Sequence, residues 1–237
     1  DAKDGLKDGL MDDPRRCDFD PARDVAQCPA GQDGENCLTP AQSAAIKKIY
    51  DGLKVDGKPV HFGQPIGAEA VGASSMTGVA PESGWNRWLI APPNGRAIQH
   101  VFGESFVRYF LPKSDPNLDV SKFDYAKDRA KYADARALLN ATNPDLGGLR
   151  ARGGKILMYF GWADTALPPL MAVDYYLKAV ATNGFTTPEF FRLFMVPGMF
   201  HCRGGVGPDR FDAMTALINW VENGVAPATL VAAQVDK

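Results

Sequence analysis

The sequence lacks the features that mark several large classes of protein. Its 237 residues carry 26 basic and 28 acidic side chains, interspersed along the chain, for a net charge of −2. Such a balance gives no reason to expect nucleic acid or an anionic membrane as a partner. No apolar run approaches the roughly 18 residues that a membrane span needs, and no repeat or low-complexity tract occurs. With 45% hydrophobic residues, the sequence predicts a globular fold with a sizeable core.

Two further features are absent from the sequence: a recognisable N-terminal start and a motif for a nucleophilic serine. The first residue is Asp1, with no initiator Met and no signal peptide, so we expect Asp1 to be a boundary within a longer polypeptide. No G-x-S-x-G motif, the strand-to-helix turn that presents a nucleophilic serine in α/β-hydrolases, occurs in the sequence. The nearest match, from Gly103 to Val107, lacks the second glycine.

Two apolar runs in the C-terminal half predict buried strands of a parallel sheet. The run 155–160 is bounded by glycines, and the run 190–196 ends at a Pro-Gly pair. Between them lies an apolar segment of helical length, opened by a Pro-Pro pair and closed by Asn-Gly. This order predicts a strand, a crossover helix and a second strand.

A polar residue follows each of these predicted strands. Asp164 follows the first and His201 follows the second. The carboxyl ends of parallel strands share one edge of an open sheet, where catalytic groups gather. An acid followed by a histidine is also the chain order in the second half of an α/β-hydrolase triad, whose serine lies upstream. We therefore predict that Asp164 and His201 lie within hydrogen-bond distance, as the orienting acid and the general base.

The sequence segments around these two residues resemble one particular family, which is more specific information than the spacing of the two residues provides. Segments 153–169 (GGKILMYFGWADTALPP), 196–205 (VPGMFHCRGG) and 4–21 are similar to segments of the tannase and feruloyl esterase family, which includes the mono(2-hydroxyethyl) terephthalate hydrolases. The resemblance implies the carboxyl-terminal part of an α/β-hydrolase fold with a large, loop-rich lid insertion. It also implies that the serine lies in an N-terminal part outside this chain.

The same resemblance implies a division of the chain. Residues 1–19 would form a calcium-binding segment that links core to lid, residues 20–145 the lid domain, and residues 146–237 the C-terminal part of the core. A capping box at Thr39 predicts a helix that stops before Gly52. Further helices are predicted over 98–111, 125–139 and 209–222, and the span 52–95 is predicted to be loop-like. A loop-rich span of this length is uncommon unless it serves a function such as a lid.

Aromatic residues of the predicted lid are candidate contacts for an aromatic acyl group. The candidates are Trp85, Trp88, Phe102 and Phe106. Aromatic side chains at helical spacing more often belong to a core, and that alternative remains open for each of them.

Acidic residues recur through the first residues of the chain, with glycines between them. A helix would align these like charges, and each glycine would cost it about 1 kcal/mol relative to Ala. We therefore expect a loop that converges on a hard cation such as Ca²⁺. As ligands the resemblance implies the carboxylates of Asp1, Asp4 and Asp8 and the backbone carbonyls of Leu6 and Leu10. The alternative is that residues 1–13, the acidic leader, are exposed to solvent and bind no cation.

The four cysteines allow three connectivities if all of them pair with one another. The resemblance implies a different scheme, in which Cys28 pairs with Cys37 across a short turn while Cys17 and Cys202 pair with cysteines outside this chain. Disulfides persist in oxidising compartments, so we expect a secreted or periplasmic protein. Four reduced thiols in a cytosolic protein are the alternative.

The resemblance implies a serine-type carboxylic ester hydrolase acting on esters of aromatic acids, feruloyl, galloyl or similar. This chain would supply the Asp and the His, and its partners would be a disulfide-linked N-terminal part that carries the Ser and a small aromatic ester. A second hypothesis is a non-catalytic, calcium-bound binding or assembly half. A third is another hydrolase of the same fold, such as a serine peptidase, which leaves the cysteines and the acidic leader unexplained.

Overall fold

The structure, a computed structural model, describes residues 3–69, 84–110, 117 and 119–234. The helices and strands, in chain order, are α1 (Pro21–Asp24), α2 (Pro40–Asp51), β1 (Leu53–Val55), β2 (Lys58–His61), α3 (Ile98–Tyr109), α4 (Tyr125–Asp128), α5 (Ala133–Leu139), α6 (Gly147–Ala151), β3 (Ile156–Gly161), α7 (Leu170–Asn183), β4 (Phe191–Val196) and α8 (Ala213–Asn223). Short 3₁₀ turns lie at Pro14–Arg16, Val120–Lys122, Arg129–Tyr132 and Thr187–Glu189. In these described ranges, no helix is long and apolar enough to cross a bilayer.

The predicted strand, helix and strand are present as β3, α7 and β4. The two strands pair in parallel, with Ile156 opposite Phe191 and Gly161 opposite Val196. The crossover helix packs onto the start of β4, where Ala179 and Phe191 are both fully buried. Because the strands are parallel and in register, both of their carboxyl ends lie at the same edge.

Two predicted helices differ in the structure. The helix predicted over 125–139 is divided into α4, a 3₁₀ turn and α5. Tyr132 lies at the division and is 5% exposed, packed with Phe106 and Phe123, so tertiary packing of this ring overrides the helical pattern. The last helix begins at Ala213 rather than at 209, because Asp212 caps it by accepting a hydrogen bond from the Thr215 N–H at 2.9 Å.

The span predicted to be loop-like contains an antiparallel hairpin, β1–β2, which was not predicted from the sequence. Its turn residues are Asp56 and Gly57, with φ of 50° and 73°. Two positive φ values in succession are what a two-residue hairpin turn requires, and Asp-Gly is a preferred pair for it. The signal was therefore present in the sequence.

One hydrophobic cluster joins the predicted lid to the loops that follow β3 and β4. Trp85 and Ala68 come from the lid, while Ala163 follows β3 and Phe200 follows β4. Tyr50 of α2 packs against the cluster, with its ring centroid 5.2 Å from that of Trp85. The residues that position Asp164 and His201 therefore share a core with the segment 20–145.

Candidate active site

Asp164 and His201 meet at the carboxyl ends of β3 and β4. The imidazole Nδ1 of His201 lies 2.7 Å from Oδ2 of Asp164. The carboxyl side chain is 3% exposed and the imidazole is 25% exposed. A buried carboxylate beside Nδ1 favours the tautomer that carries its proton there, which leaves Nε2 as the nitrogen able to accept a proton.

The second carboxylate oxygen of Asp164 is also held. Oδ1 accepts hydrogen bonds from the backbone N–H groups of Ala166 at 2.8 Å and Leu167 at 2.9 Å. An aspartate that begins a turn commonly accepts such bonds from the residues two and three positions later. These donors compensate for the burial of the carboxylate and fix its rotation relative to His201.

The loops that carry the two residues stay paired beyond the strands. The Trp162 N–H donates to the Val196 carbonyl at 2.8 Å, and the Ala163 N–H donates to the Met199 carbonyl at 3.0 Å. At Gly161, an added Cβ would lie 2.2 Å from the Met199 oxygen, so a side chain there is excluded. The close approach of the loops depends on this glycine.

His201 stands in a tight loop. The Phe200 N–H donates to the Gly204 carbonyl at 3.0 Å, and the Gly204 N–H donates to Oδ2 of Asp209 at 2.6 Å. Between them, Cys202 has φ of 64°, an uncommon conformation for a residue other than glycine. Asp209 thus holds the returning arm of the loop, a role that no sequence pattern indicated.

Residues of the predicted lid hold the loop that follows Asp164. The Gln64 Nε2 donates to the Thr165 carbonyl at 3.3 Å, and the Gln99 Nε2 donates to the carbonyls of Thr165 at 3.0 Å and Ala166 at 2.5 Å. The Thr165 hydroxyl donates to the Gly84 carbonyl at 3.0 Å. These residues could not be identified from the sequence, because two glutamines and a threonine form no motif until the chain has folded.

The four aromatic candidates lie in different surroundings. Trp88 contacts His201, with ring centroids 6.5 Å apart and an interplanar angle of 66°. Trp85 belongs to the core cluster described above, and Phe106 packs with Tyr132. Phe102 is 60% exposed on α3. The structure thus brings Trp88 to the pair of Asp164 and His201.

The described part of the acidic leader, residues 3–13 of the segment 1–13, contains two similar turns. Oδ1 of Asp4 accepts from the Leu6 N–H at 3.1 Å, and Oδ1 of Asp8 accepts from the Leu10 N–H at 2.9 Å. Asp1 lies outside the described residues, and the described part of the chain contains no group of three His, Cys, Asp or Glu placed to hold a metal. The predicted ligands are all carboxylate and carbonyl oxygens, the ligand type that Ca²⁺ takes, and the calcium site stays a prediction.

The cysteines divide into a bonded pair and two thiols. Cys28 and Cys37 form a disulfide, with Sγ atoms 1.99 Å apart and Cα atoms 4.9 Å apart. Cys17 is a half-buried thiol, and Cys202 is an exposed one. The exposed thiol stands immediately beside His201.

Several known proteins are similar to this chain. A mono(2-hydroxyethyl) terephthalate hydrolase of Piscinibacter sakaiensis is 36% identical, covering 96% of this chain and 42% of the relative. A probable feruloyl esterase of Arthroderma benhamiae is 32% identical over 100% of this chain and 43% of the relative. The crystal structure of an esterase from Aspergillus oryzae superposes with a TM-score of 0.74 at 27% identity, covering 97% of this chain and 45% of that one.

The chain thus spans less than half the length of these relatives. The family model described as tannase and feruloyl esterase matches residues 1–237. The resemblance first indicated by the segments around Asp164 and His201 therefore covers the whole sequence, and the chain belongs to the tannase and feruloyl esterase family.

Proposed function

We propose that this chain supplies the acid and the base of a serine-type carboxylic ester hydrolase, and that the nucleophilic serine belongs to a polypeptide segment outside the chain. The observation that carries the proposal is the 2.7 Å contact between Nδ1 of His201 and Oδ2 of Asp164 at the ends of adjacent parallel strands. Relatives named as esterases and hydrolases support it. No G-x-S-x-G motif is present to supply the serine from within the sequence.

The geometry supports the usual division of labour in such a triad. Nε2 of His201 takes the proton from the serine hydroxyl as the oxygen attacks the ester carbonyl, and it then returns this proton to the departing alcohol. Water hydrolyses the resulting acyl-serine by the same two proton transfers. The Asp164 carboxylate stabilises the imidazolium that forms at each step.

The substrate class we propose is esters of aromatic acids. Trp88 supports this choice because its indole is fixed against His201, where an aromatic acyl group could pack on it. The names of two relatives, a feruloyl esterase and a terephthalate hydrolase, point to acyl groups of the same class. Both indoles are buried, with Trp85 6% and Trp88 7% exposed. We assign the acyl contact to Trp88 because it is Trp88 that packs on His201.

We further propose that Ca²⁺ binds the carboxylates of Asp1, Asp4 and Asp8 and the carbonyls of Leu6 and Leu10, and that Cys17 and Cys202 form disulfides with cysteines outside this chain. The paired turns at Asp4 and Asp8 support the first proposal. Together with the bond between Cys28 and Cys37, such bridges favour an oxidising compartment, secreted or periplasmic.

The test is labelling of the complete protein with a fluorophosphonate, which reacts covalently with activated serines. We expect the label on a serine outside residues 1–237, and we expect His201→Gln and Asp164→Asn to abolish both labelling and ester hydrolysis. His100→Gln is the matched control, because His100 is an exposed histidine of α3.

Other outcomes would separate the alternatives. A label on a serine of this chain would refute the proposed division of the triad. Absence of labelling in a folded complete protein would favour the non-catalytic half. Faster cleavage of peptide amides than of aromatic esters would favour a serine peptidase.

A further inference from the structure

We propose that Gln99, assisted by Gln64, is a positioning residue for the triad. Through Gln99, the predicted lid fixes the positions of Asp164 and His201 relative to each other. This inference rests on the proposed function. Its basis is that the side chain of Gln99 contacts the loop of Asp164, while its backbone contacts the residue that packs on His201.

On the acid side, two peptide groups stand between Gln99 and the carboxylate of Asp164. The peptide joining Thr165 to Ala166 accepts from the Gln99 Nε2 through its carbonyl at 3.0 Å, and it donates to Oδ1 of Asp164 through its N–H at 2.8 Å. The peptide joining Ala166 to Leu167 is arranged in the same way. Its carbonyl accepts from the Gln99 Nε2 at 2.5 Å, and its N–H donates to Oδ1 of Asp164 at 2.9 Å. One amide therefore fixes both of the backbone donors that hold Oδ1.

This arrangement affects the strength of those donors as well as their position. Hydrogen bonds in series polarise one another, so a peptide whose carbonyl accepts a bond becomes a better N–H donor. Gln64, which is 8% exposed, adds a second donor to the Thr165 carbonyl at 3.3 Å. Loss of the glutamine amides would weaken the two bonds to Asp164 and leave the carbonyls of buried Thr165 and half-buried Ala166 without these partners.

On the base side, Gln99 acts through Trp88. Gln99 lies in the first turn of α3, where backbone N–H groups have no acceptor within the helix. Its N–H donates instead to the Trp88 carbonyl at 3.1 Å, and the neighbouring Ile98 N–H donates to the Arg87 carbonyl at 2.8 Å. Since the indole of Trp88 packs on His201, the start of α3 restrains both members of the pair.

A matched control is available in the same segment. The side chain of Gln27 also donates from Nε2 to two backbone carbonyls, those of Pro21 at 2.9 Å and Val25 at 2.8 Å. These acceptors lie beside α1, in a part of the chain that carries no residue of the proposed triad. Gln27→Met therefore removes two bonds from Nε2, as Gln99→Met does, and also the bond that Oε1 of Gln27 accepts from the Ser43 hydroxyl at 2.9 Å, without touching the loop of Asp164.

The first measurement is steady-state hydrolysis by the complete protein of a small aryl acetate and of a larger aromatic ester. We expect Gln99→Met to lower kcat for both by about 10- to 100-fold, the range expected when a catalytic group is displaced by up to about 1 Å. KM for the aryl acetate should stay unchanged, because this substrate makes few contacts with the lid. Gln27→Met should leave kcat unchanged even where it lowers the melting temperature.

The second measurement does not depend on activity. In the NMR spectrum of the complete protein labelled with ¹⁵N, the proton on Nδ1 of His201 should resonate at low field because it is shared with a carboxylate. We expect Gln99→Met to move this resonance and those of the Ala166 and Leu167 N–H groups upfield, and Gln27→Met to leave all three in place. If Gln99→Met does not fold, Gln64→Met removes a single bond and should produce smaller shifts in the same direction.

Different results would refute the positioning role of Gln99 and the proposed ester hydrolase function. If the complete protein hydrolyses no ester, the function fails, and the NMR shifts still decide whether Gln99 positions Asp164. If the wild-type protein is active while Gln99→Met retains kcat within about twofold and leaves the three resonances in place, the positioning role is refuted. A lowered melting temperature with unchanged kcat would assign Gln99 a structural role only.

Discussion

The N–H of Ala163 donates to the carbonyl of Met199 at 3.0 Å, which joins the two loops one residue before Asp164 and two residues before His201. The sheet ladder is thereby continued past the last strand residues, up to the side chains that carry the proposed chemistry. The distance between acid and base is thus set by backbone pairing more than by the flexible parts of either loop.

Gly161→Ala should separate these loops. The new Cβ would lie 2.2 Å from the Met199 oxygen, so the backbone has to shift. We expect a loss of about 1 to 3 kcal/mol in the free energy of unfolding, typical of overpacking at a closed site, and a fall in kcat beyond the loss of folded protein. Urea unfolding measures the first and single-turnover kinetics the second.

Gly148→Ala provides the control for that substitution. Gly148 lies in α6, and an added Cβ there meets no atom within 4 Å. Ala is favoured over Gly in helices by about 1 kcal/mol at most, so the free energy of unfolding of Gly148→Ala should be unchanged or slightly higher. Equal losses at the two positions would show that the contact between the loops is unimportant.

Asp13 should make a contribution to stability that depends on pH. Its carboxylate accepts from Nε and Nη2 of Arg15 at 2.8 and 2.6 Å, and the guanidinium lies 5.4 Å from the ring centroid of Trp162, just after β3. The side-chain hydrogen bond with Arg15 holds the pKa of Asp13 below its ordinary value of 3.8. The stabilisation is therefore complete above that value and is lost as the pH falls through the lower pKa of the folded state.

We accordingly expect Asp13→Asn to cost about 0.5 kcal/mol near neutral pH, the scale of a surface ion pair, and to have no effect in strong acid. Chemical unfolding across this pH range provides the measurement. Asp18→Asn is the control, because the Asp18 side chain is 80% exposed and its contact with Lys3 is 3.8 Å long. A cost for Asp13→Asn that persists in acid would contradict the assignment.

Removal of calcium should destabilise the protein if the acidic leader holds the ion. We expect metal analysis of the complete protein to find one Ca²⁺, and chelation to lower the melting temperature. Asp8→Asn should reduce the calcium content because it removes one ligand charge, whereas Asp33→Asn, in the turn before Cys37, should not. A protein without calcium, whose melting temperature does not respond to chelation, would show that the leader is solvated.

Cys202→Ser should affect turnover more than stability. Cys202 is exposed and follows His201 directly, with φ of 64°, so a bridge from it to a cysteine outside this chain would fix the base loop. Displacement of a base by about 1 Å can cost on the order of a hundredfold in rate. We expect that bridge in mass mapping under non-reducing conditions, and a loss of kcat well beyond any loss of folded protein.

The pair Cys28 and Cys37 supplies the comparison for Cys202. Replacing both by Ser should cost about 2 kcal/mol of stability, since the bridge closes a short loop, with little effect on the kcat of the folded protein. A free Cys202 thiol in the active protein, or a bridge from Cys202 to Cys17, would contradict the pairing scheme.

The sequence predicted those parts of the site that depend on local patterns. Asp164 and His201 could be located because each follows an apolar run bounded by glycine or proline, and such runs end where strands end. The start of α2 was predictable for a similar reason, because Thr39 and Gln42 lie three residues apart and make both bonds of a capping box in the structure.

What the sequence did not predict depends on contacts between distant segments. Gln99 acquires its role only when α3 docks on the loop after β3, and the break between α4 and α5 arises because Tyr132 is buried against rings from other segments. Neither residue carries a signal in its own neighbourhood. The hairpin turn at Asp56 and Gly57 is a different case, since its signal was present and was missed.

The cluster formed by Ala68, Trp85, Ala163 and Phe200 has a consequence for how the protein opens. Because these side chains are at most 6% exposed, lifting residues 20–145 away as a rigid flap would hydrate apolar surface on both sides of the cluster at once. The described residues that form this cluster and the strand ends should therefore behave as one cooperative unit, whose amides exchange with solvent at a common free energy. An ester would then reach His201 through small side-chain motions, while the hydrophobic contacts that position the acid and the base stay closed.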